Sequence, residues 1–168
     1  MDLYLLRHAI AVERVSANPA DDSQRPLTPE GMEKMRQGAR GIKALELSFD
    51  LVLSSPYLRA RETAEIVMKD VGIKNNSLML TENLTPDASF EGIVREINVH
   101  SPKPRSILLV GHEPHLSGLV SFLLTDGQGI AIDFKKGGLC PLSAPKTLAA
   151  GSAALRWLLT PAQLRRIH

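Results

Sequence analysis

The chain has 168 residues, 43% hydrophobic and 23% charged, which predicts one globular domain spanning residues 1–168 with a full hydrophobic core. Its net charge of +2, from 20 Lys and Arg against 18 Asp and Glu, argues against nucleic-acid binding, which requires a basic stripe. No apolar run approaches the roughly 20 residues that span a bilayer, no signal peptide is evident, and the single cysteine excludes an internal disulfide. We therefore expect a cytoplasmic protein without membrane contact.

The first predicted element is a buried strand that ends in Arg7 and His8. Residues 3–6 are all apolar, so both faces of the segment are covered, as in a parallel sheet flanked by helices. Such a strand delivers its next residues to the carboxyl edge of the sheet, where open α/β folds bind ligands. A guanidinium beside an imidazole suits an anion that is to be attacked. If only this dipeptide is considered, the alternative is that Arg7 and His8 end the strand by chance and have no function.

Residues 9–27 form a polar loop, which is either functional or a plain surface excursion. A helix with a buried apolar stripe begins at Thr28, which can cap it, followed by Pro29 at the first helical position. A short buried strand at residues 51–53 then leads through Ser54 and Ser55 into a second helix. That helix carries Arg59 in its first turns and ends near residue 72.

The second half continues the alternation of strand and helix up to about residue 125. Strands are predicted at residues 78–80 and 106–110, and helices at residues 90–99 and from about residue 116. Beyond them, residues 130–134 and 154–159 are interpreted as short strands, with a further one between the glycine turns. The pattern predicts a three-layer α/β/α sandwich with a mostly parallel sheet and antiparallel edge strands near the C-terminus.

Three of the predicted strands end in polar residues that could share a phosphate. The three sets are Arg7 with His8, the Ser54-Ser55 pair with Arg59, and His112 after the strand at residues 106–110. Arginine offers a planar fork of donors to phosphate oxygens. A histidine can attack phosphorus when its other ring nitrogen is held by a hydrogen bond. These residues predict a phosphate pocket with a nucleophilic histidine.

Other site motifs do not fit the sequence. His112 and His115 are three residues apart with Pro114 between them, which is not the zincin spacing, so we expect no metal. The chain has no phosphate-binding P-loop, no dinucleotide fingerprint and no nucleophile elbow. We therefore expect no cofactor.

Four short segments together resemble the histidine phosphatase superfamily, which includes the cofactor-dependent phosphoglycerate mutases. They are LRHA at residues 6–9, RPLTPEG at residues 25–31, SSPYLRARETA at residues 54–64 and VGHEP at residues 110–114. The short chain and the RPLT segment resemble the SixA-like phosphohistidine phosphatase branch most closely. One departure is Ala9, where many members have glycine.

The resemblance implies a role for each matching position. His8 would be the nucleophile that becomes phosphorylated, while Arg7, Arg59 and His112 would bind the phosphoryl group. Arg25 would bind substrate in the same pocket. Arg61 and His115 are expected either behind the residues that touch the phosphoryl group or at the surface.

Glu82 follows the strand at residues 78–80 and is the candidate general acid, since phosphoglycerate-mutase-like members protonate the departing oxygen with a carboxylate. The alternative is a carboxylate that only orders its own loop or contacts Arg25.

The function that the resemblance implies is a metal-independent phosphatase acting through a phosphohistidine intermediate. Its expected substrate is a phosphorylated histidine-containing phosphotransfer protein, as in signal transduction, and we expect it to act as a monomer. A small-molecule phosphomonoesterase or mutase on the same fold is the first alternative. A phosphate-binding regulatory module without catalysis is the second, although binding alone would not require His8.

Overall fold

The computed structural model describes residues 1–14, 22–73, 77–100, 103–126 and 129–167. Part of the loop at residues 9–27, namely residues 15–21, lies outside this description. The strands are β1 (Asp2–Arg7), β2 (Leu51–Ser54), β3 (Leu78–Leu80), β4 (Ser106–Gly111), β5 (Leu139–Ser143) and β6 (Ala154–Leu155). The helices are α1 (Pro29–Ala44), α2 (Leu58–Val71), α3 (Phe90–Val99), α4 (His115–Thr125) and α5 (Pro161–Leu164), with a 3-10 turn at Glu82–Leu84.

The six strands form one sheet in the order β3-β2-β4-β1-β5-β6. Strands β3, β2, β4 and β1 are parallel, whereas β5 runs antiparallel to β1, and β6 runs antiparallel to β5. The mostly parallel sheet and the antiparallel C-terminal strands are thus confirmed. Parallel strands at the centre are covered on both faces, which explains why β1 and β4 are continuous apolar runs.

Two hydrophobic clusters cover opposite faces of this sheet. Leu5 belongs to the cluster that contains Ile93 of α3 and Leu119 of α4. Its neighbour Leu6 belongs to the other, which contains Met35 of α1 and residues of α2 and α5. Because successive side chains of a strand point to opposite faces, the helices form a layer on each side, and the three-layer α/β/α sandwich is confirmed.

Helix α1 begins as its sequence predicts. The Thr28 side chain accepts a hydrogen bond from the Gly31 backbone at 2.9 Å, and Pro29 occupies the start of the helix. The Thr28 backbone also donates to the Ile10 carbonyl at 3.0 Å. These bonds place the start of α1 beside the residues that follow β1.

Residues 130–134 do not form a strand, so that prediction is wrong. Their backbone is held by side chains instead: Ile130 donates to Ser121 Oγ at 2.8 Å, and the Phe134 carbonyl accepts from Arg7 Nη1 at 2.7 Å. Phe134 is nonetheless buried in the core, as its apolar character indicates. The apolar character of this segment therefore reflects burial of the Phe134 side chain and does not reflect strand pairing.

The strand predicted at residues 154–159 is shorter than expected. Only Ala154–Leu155 pairs as β6, and Leu159 returns to make an isolated bridge with Leu139. The chain then forms α5, which the sequence analysis missed. Thr160 and Gln163 form a capping box at its start, a signal that was readable in the sequence.

Helix α5 packs against α1 through Gly41, and we expect Gly41→Ala to destabilise the fold. A Cβ at this position would lie 2.0 Å from the Leu164 carbonyl oxygen of α5, so the backbone would have to move. Overpacking typically costs about 1–3 kcal/mol, and urea unfolding would measure it. Gly38→Ala on the same helix is the control, because its Cβ would meet only the flexible Met35 side chain end. Equal stability of the two variants would contradict the close approach.

Among the helices that the structure describes, none is long and apolar enough to cross a membrane.

Candidate active site

The ends of β1, β2 and β4 meet at one edge of the sheet. Arg7 is in register with Gly111, and Ser54 with Val110. The chain continues in contact beyond each strand, since the His8 backbone donates to Gly111 O at 3.0 Å and the Ser55 backbone donates to Val110 O at 2.9 Å. The structure therefore brings together the three polar sets that were predicted to share this edge.

His8 is held with one ring nitrogen occupied and the other directed at an arginine. Its Nδ1 lies 2.7 Å from the Ala9 carbonyl oxygen, an atom that only accepts, so Nδ1 carries the proton and donates. Its Nε2 then has the lone pair and accepts from Arg59 Nε at 3.3 Å. This is the arrangement that a nucleophilic histidine requires.

His8 is only 6% exposed, and its burial sets its charge. Desolvation lowers the pKa of His8 to about 3, although the hydrogen bond to Ala9 acts in the opposite direction. The positive charges of Arg59, Arg7 and Lys136 lower this pKa further. The ring is therefore neutral at physiological pH, so the Nε2 lone pair carries no proton and accepts the hydrogen bond from Arg59.

His112 lies beside His8, with ring centroids 5.0 Å apart. Its Nε2 is 2.9 Å from Ser55 Oγ, while Nδ1 is buried without a hydrogen-bond partner among the described residues. Desolvation is the main cause that lowers the pKa of His112 to about 2, and the positive charge of Arg59 lowers it further. The Tyr57 ring packs against the His112 ring, with ring centroids 5.1 Å apart. His112 is thus a neutral ring that has one nitrogen left to bind a ligand.

Arg59 is the central cation of the site and is 3% exposed. It is carried in the first turn of α2, and its guanidinium lies over the Tyr57 ring at 5.1 Å. Besides its bond to His8, it donates to the Asp22 backbone carbonyl at 2.7 Å and to Asp22 Oδ2 at 3.1 Å. A single guanidinium therefore contacts both the nucleophile and the loop that follows β1.

Arg7 and Arg25 approach the same site from two sides. Arg7 is anchored by Nη1 to the Phe134 carbonyl, and its Nε is buried without a partner in the described part of the chain. Arg25 donates through Nε to Asp22 Oδ1 at 2.8 Å, and its charge acts on both Arg59 and His112. Arg25 therefore adds positive charge near the pocket through a carboxylate shared with Arg59, and its binding of substrate stays a prediction.

Glu82 is exposed on the 3-10 turn after β3. Within the described residues its side chain makes no hydrogen bond or ion pair with the residues of the pocket, so its role as an acid stays a prediction. Arg61 is at the surface as expected, where it pairs with Glu65 at 3.6 Å. His115 is not at the surface: it is 2% exposed and packs against Phe90 with ring centroids 5.4 Å apart.

Sequence reasoning missed the residues that hold the site in place. Asp22 bridges Arg59 and Arg25, and its only sequence signal is its position three residues before Arg25. Thr63 accepts from the Ala9 backbone at 3.0 Å and donates to the Arg59 carbonyl at 2.6 Å, so it ties the nucleophile's loop to α2. Glu62 likewise accepts from the Leu27 backbone at 2.7 Å. Glu62 and Thr63 lie within four residues of Arg59 in the sequence, and this proximity was the available signal for these two.

Taken together, these side chains can receive a dianion and attack it. The buried Arg59 and the half-buried Arg7 offer several donors to phosphoryl oxygens, and a neutral, oriented imidazole provides the nucleophile. Within the described residues, no group of three or more histidine, cysteine or acidic side chains is placed to hold a metal ion. The arrangement suits transfer of a phosphoryl group to histidine.

Known proteins point to the same chemistry. Residues 3–84 match the model of the histidine phosphatase superfamily (branch 1), and the chain is 33% identical over 144 residues to an uncharacterised protein of Picosynechococcus, covering 84% of each. The chain belongs to the histidine phosphatase superfamily. This makes it a member of a phosphatase family, and the predicted resemblance is confirmed.

Some proteins with a named activity are similar to this chain over nearly its full length, at lower identity. Phosphohistidine phosphatase SixA of Escherichia coli is 25% identical over 177 residues, covering 98% of this chain and 97% of that one. A structure of the protein histidine phosphatase SixA complexed with tungstate has a TM-score of 0.82 at 25% identity, over 98% and 99% of the two chains. The alpha-ribazole phosphatase from Shigella flexneri shares the fold, with a TM-score of 0.66 at 19% identity over 96% and 97% of the chains.

Proposed function

We propose that this histidine phosphatase removes the phosphoryl group from phosphohistidine on a protein, through a phosphorylated His8 and without a metal. The observation that carries the proposal is the geometry of His8. Its Nδ1 donates to the Ala9 carbonyl and its Nε2 faces the Arg59 guanidinium, so a phosphoryl group bound to Arg59 would lie against the nucleophilic lone pair.

In the first step, His8 Nε2 attacks phosphorus and the bond from phosphorus to the substrate's imidazole nitrogen breaks. The electron pair of that bond stays with the leaving imidazole. In the second step, water attacks the phosphorus on His8, the bond to Nε2 breaks and inorganic phosphate leaves. The Nδ1 proton remains on the ring throughout, because the Ala9 carbonyl holds it.

Arg7, Arg59 and His112 would bind the three phosphoryl oxygens during both steps. Arg59 already reaches His8, while Arg7 Nε and His112 Nδ1 are buried polar atoms with bonding capacity to spare. Donors that are fixed before the reaction stabilise the charge of the transition state without reorganisation. Arg25 would add positive charge from the far side of Asp22.

Phosphohistidine is the favoured substrate because its leaving group needs little help. The distal nitrogen of the substrate's imidazole can already carry a proton, so the ring leaves neutral, as a base with a pKa of about 6.5. The full-length similarity to Escherichia coli SixA supports a phosphohistidine protein as the substrate. The partner would then be a histidine-containing phosphotransfer protein that presents its phosphorylated ring from its surface.

A small phosphoester is the second candidate, and the position of Glu82 favours it. Glu82 begins the 3-10 turn, whose last residue, Leu84, places its carbonyl 3.3 Å from where a Cβ on Gly111 would lie. The turn is therefore next to the end of β4, close to the pocket. An alkoxide is a poor leaving group, so an ester would need an acid at this place.

Glu82→Gln separates the two substrates. We expect the variant to hydrolyse a phosphohistidine protein within about tenfold of the wild type, because general acid catalysis, typically worth about 10²–10⁴-fold, is hardly used there. On an alkyl phosphate, the variant should lose the slow activity of the wild type. The measurement is kcat/KM for both substrates with both proteins.

The exposed Glu91 on α3 provides the matched control, since Glu91→Gln should alter neither activity. Collapse of phosphohistidine hydrolysis in folded Glu82→Gln would contradict the proposal and favour the phosphoester. Turnover of p-nitrophenyl phosphate in EDTA tests the remaining alternative, because a binding module without catalysis would give none.

A further inference from the structure

A cleft of about 170 Å³ lies between α1, α5 and the residues that follow His8. Ala9 and Ile10, the two residues that follow His8, line one end of it. Its apolar lining includes Met35 of α1 and Pro161 of α5, both of which lie close to Gly137. A substrate that reaches His8 and extends past Ala9 would therefore enter this cleft.

Three cations line the same cleft: Lys34, Lys136 and Arg165. Lys34 pairs with Glu30, but neither Lys136 nor Arg165 has an ion-pair partner among the residues that the structure describes. Lys136 is exposed and Arg165 is half-buried. No acidic residue is among those that line the cleft. The charges of Lys136 and Arg165 could therefore pair with a carboxylate of a bound molecule.

The backbone around Lys136 is fixed to the catalytic strand. The neighbouring Gly137 donates to the carbonyls of Arg7 and His8, at 3.0 and 3.2 Å. Gly138 in turn accepts from the Arg7 backbone at 3.2 Å. The Lys136 ammonium is close enough to contribute to the lowered pKa of His8, after burial and the charges of Arg59 and Arg7. The backbone that carries this cation is thus fixed close to His8.

We propose that this basic cleft binds an acidic side chain of the protein that carries the phosphohistidine. The inference rests on the proposed function and adds to it a feature of the substrate. A small phosphoester concentrates its charge on the phosphoryl group, which Arg7 and Arg59 would bind. A protein substrate also presents the residues around its phosphohistidine, and a carboxylate among them would pair with Lys136 and Arg165.

Two phosphohistidine peptides test the proposal, each phosphorylated with phosphoramidate. One carries glutamates on both sides of the phosphohistidine, and the other has glutamines at the same positions. The readout is the ratio of kcat/KM for the acidic peptide to that for the neutral one. Since single exposed ion pairs contribute up to about fivefold in affinity, we expect a wild-type ratio of about tenfold at low salt. This ratio should fall as added salt screens the charges.

The ratio isolates the cleft, because any effect of a variant on His8 itself cancels between the two peptides. It should fall to about threefold in Lys136→Ala or in Arg165→Gln, since one of the two ion pairs remains. It should fall to about one in the double variant and in Lys136→Glu, and persist in Lys136→Arg. Lys146→Glu is the control and should keep the wild-type ratio. This exposed lysine follows β5, whose end pairs with the start of β1, away from His8.

The outcomes separate the two proposals. Equal hydrolysis of both peptides by the wild type, or an unchanged ratio in Lys136→Glu, would overturn the basic cleft alone. In the latter case the preference would arise from the phosphoryl pocket. Hydrolysis of neither peptide would overturn the proposed function, and the docking inference with it.

Discussion

His8→Ala should lower kcat by at least about 10⁴-fold, because a missing nucleophile removes the covalent route altogether. The variant should still bind vanadate weakly, since Arg59 would keep its bonds to Asp22. Rapid quenching of the wild type under non-acidic conditions should trap the phosphoryl label on His8. Mass spectrometry of the quenched protein identifies the labelled residue.

His100→Ala is the matched control for this variant. His100 follows α3 and precedes β4, so it lies away from the carboxyl edge of the sheet, and its replacement should leave turnover unchanged. Label on His112, or near-normal turnover in His8→Ala, would show that the nucleophile has been assigned to the wrong ring.

Arg59→Ala should slow the chemical step by about 10²–10³-fold, the loss typical of one donor that stabilises transition-state charge. The side chain contacts both His8 and Asp22, so its removal also frees the loop before α1. Arg59→Lys should restore only part of the rate, because an ammonium lacks the planar fork of donors. Single-turnover kinetics would separate the chemical step from binding.

The same helix provides the control for Arg59. Arg61 lies two residues further along α2, is exposed and pairs with Glu65, so Arg61→Ala should keep wild-type kinetics. Wild-type activity in Arg59→Lys would rule out a forked contact with the phosphoryl group. Comparison of urea unfolding across the variants would detect any loss of stability when Asp22 keeps Arg25 but loses Arg59.

Much of the site could be predicted because its positions depend on local features of the sequence. The burial of β1 on both faces is visible as an unbroken apolar run, and the residue after such a strand reaches the sheet edge. The same reasoning applies to β2 and β4, so the proximity of His8, Arg59 and His112 followed from three separate strand ends. Which nitrogen of His8 faces Arg59 did not follow, because it depends on the Ala9 carbonyl.

Residue roles in the pocket were harder to predict where a side chain is positioned by a residue that is distant in the sequence. Asp22 resembles ordinary turn chemistry in the sequence, yet it holds Arg59 from 37 positions away. For His115 the sequence left two positions open, one behind the pocket residues and one at the surface, and packing against Phe90 excludes the surface. Such contacts form between elements whose relative placement is fixed only when both have packed on the sheet.

By itself, the sequence determined the order of strands and helices up to residue 125, the polar residues at the strand ends and the family they indicate. These are encoded in local periodicity and short motifs, so each can be recognised without its neighbours. Tertiary structure alone decided that residues 130–134 run without strand pairing beside Arg7, and that α5 closes against Gly41. The backbone of residues 130–134 found its partners in Ser121 and Arg7, and an apolar segment looks the same whether a strand or a side chain satisfies its backbone.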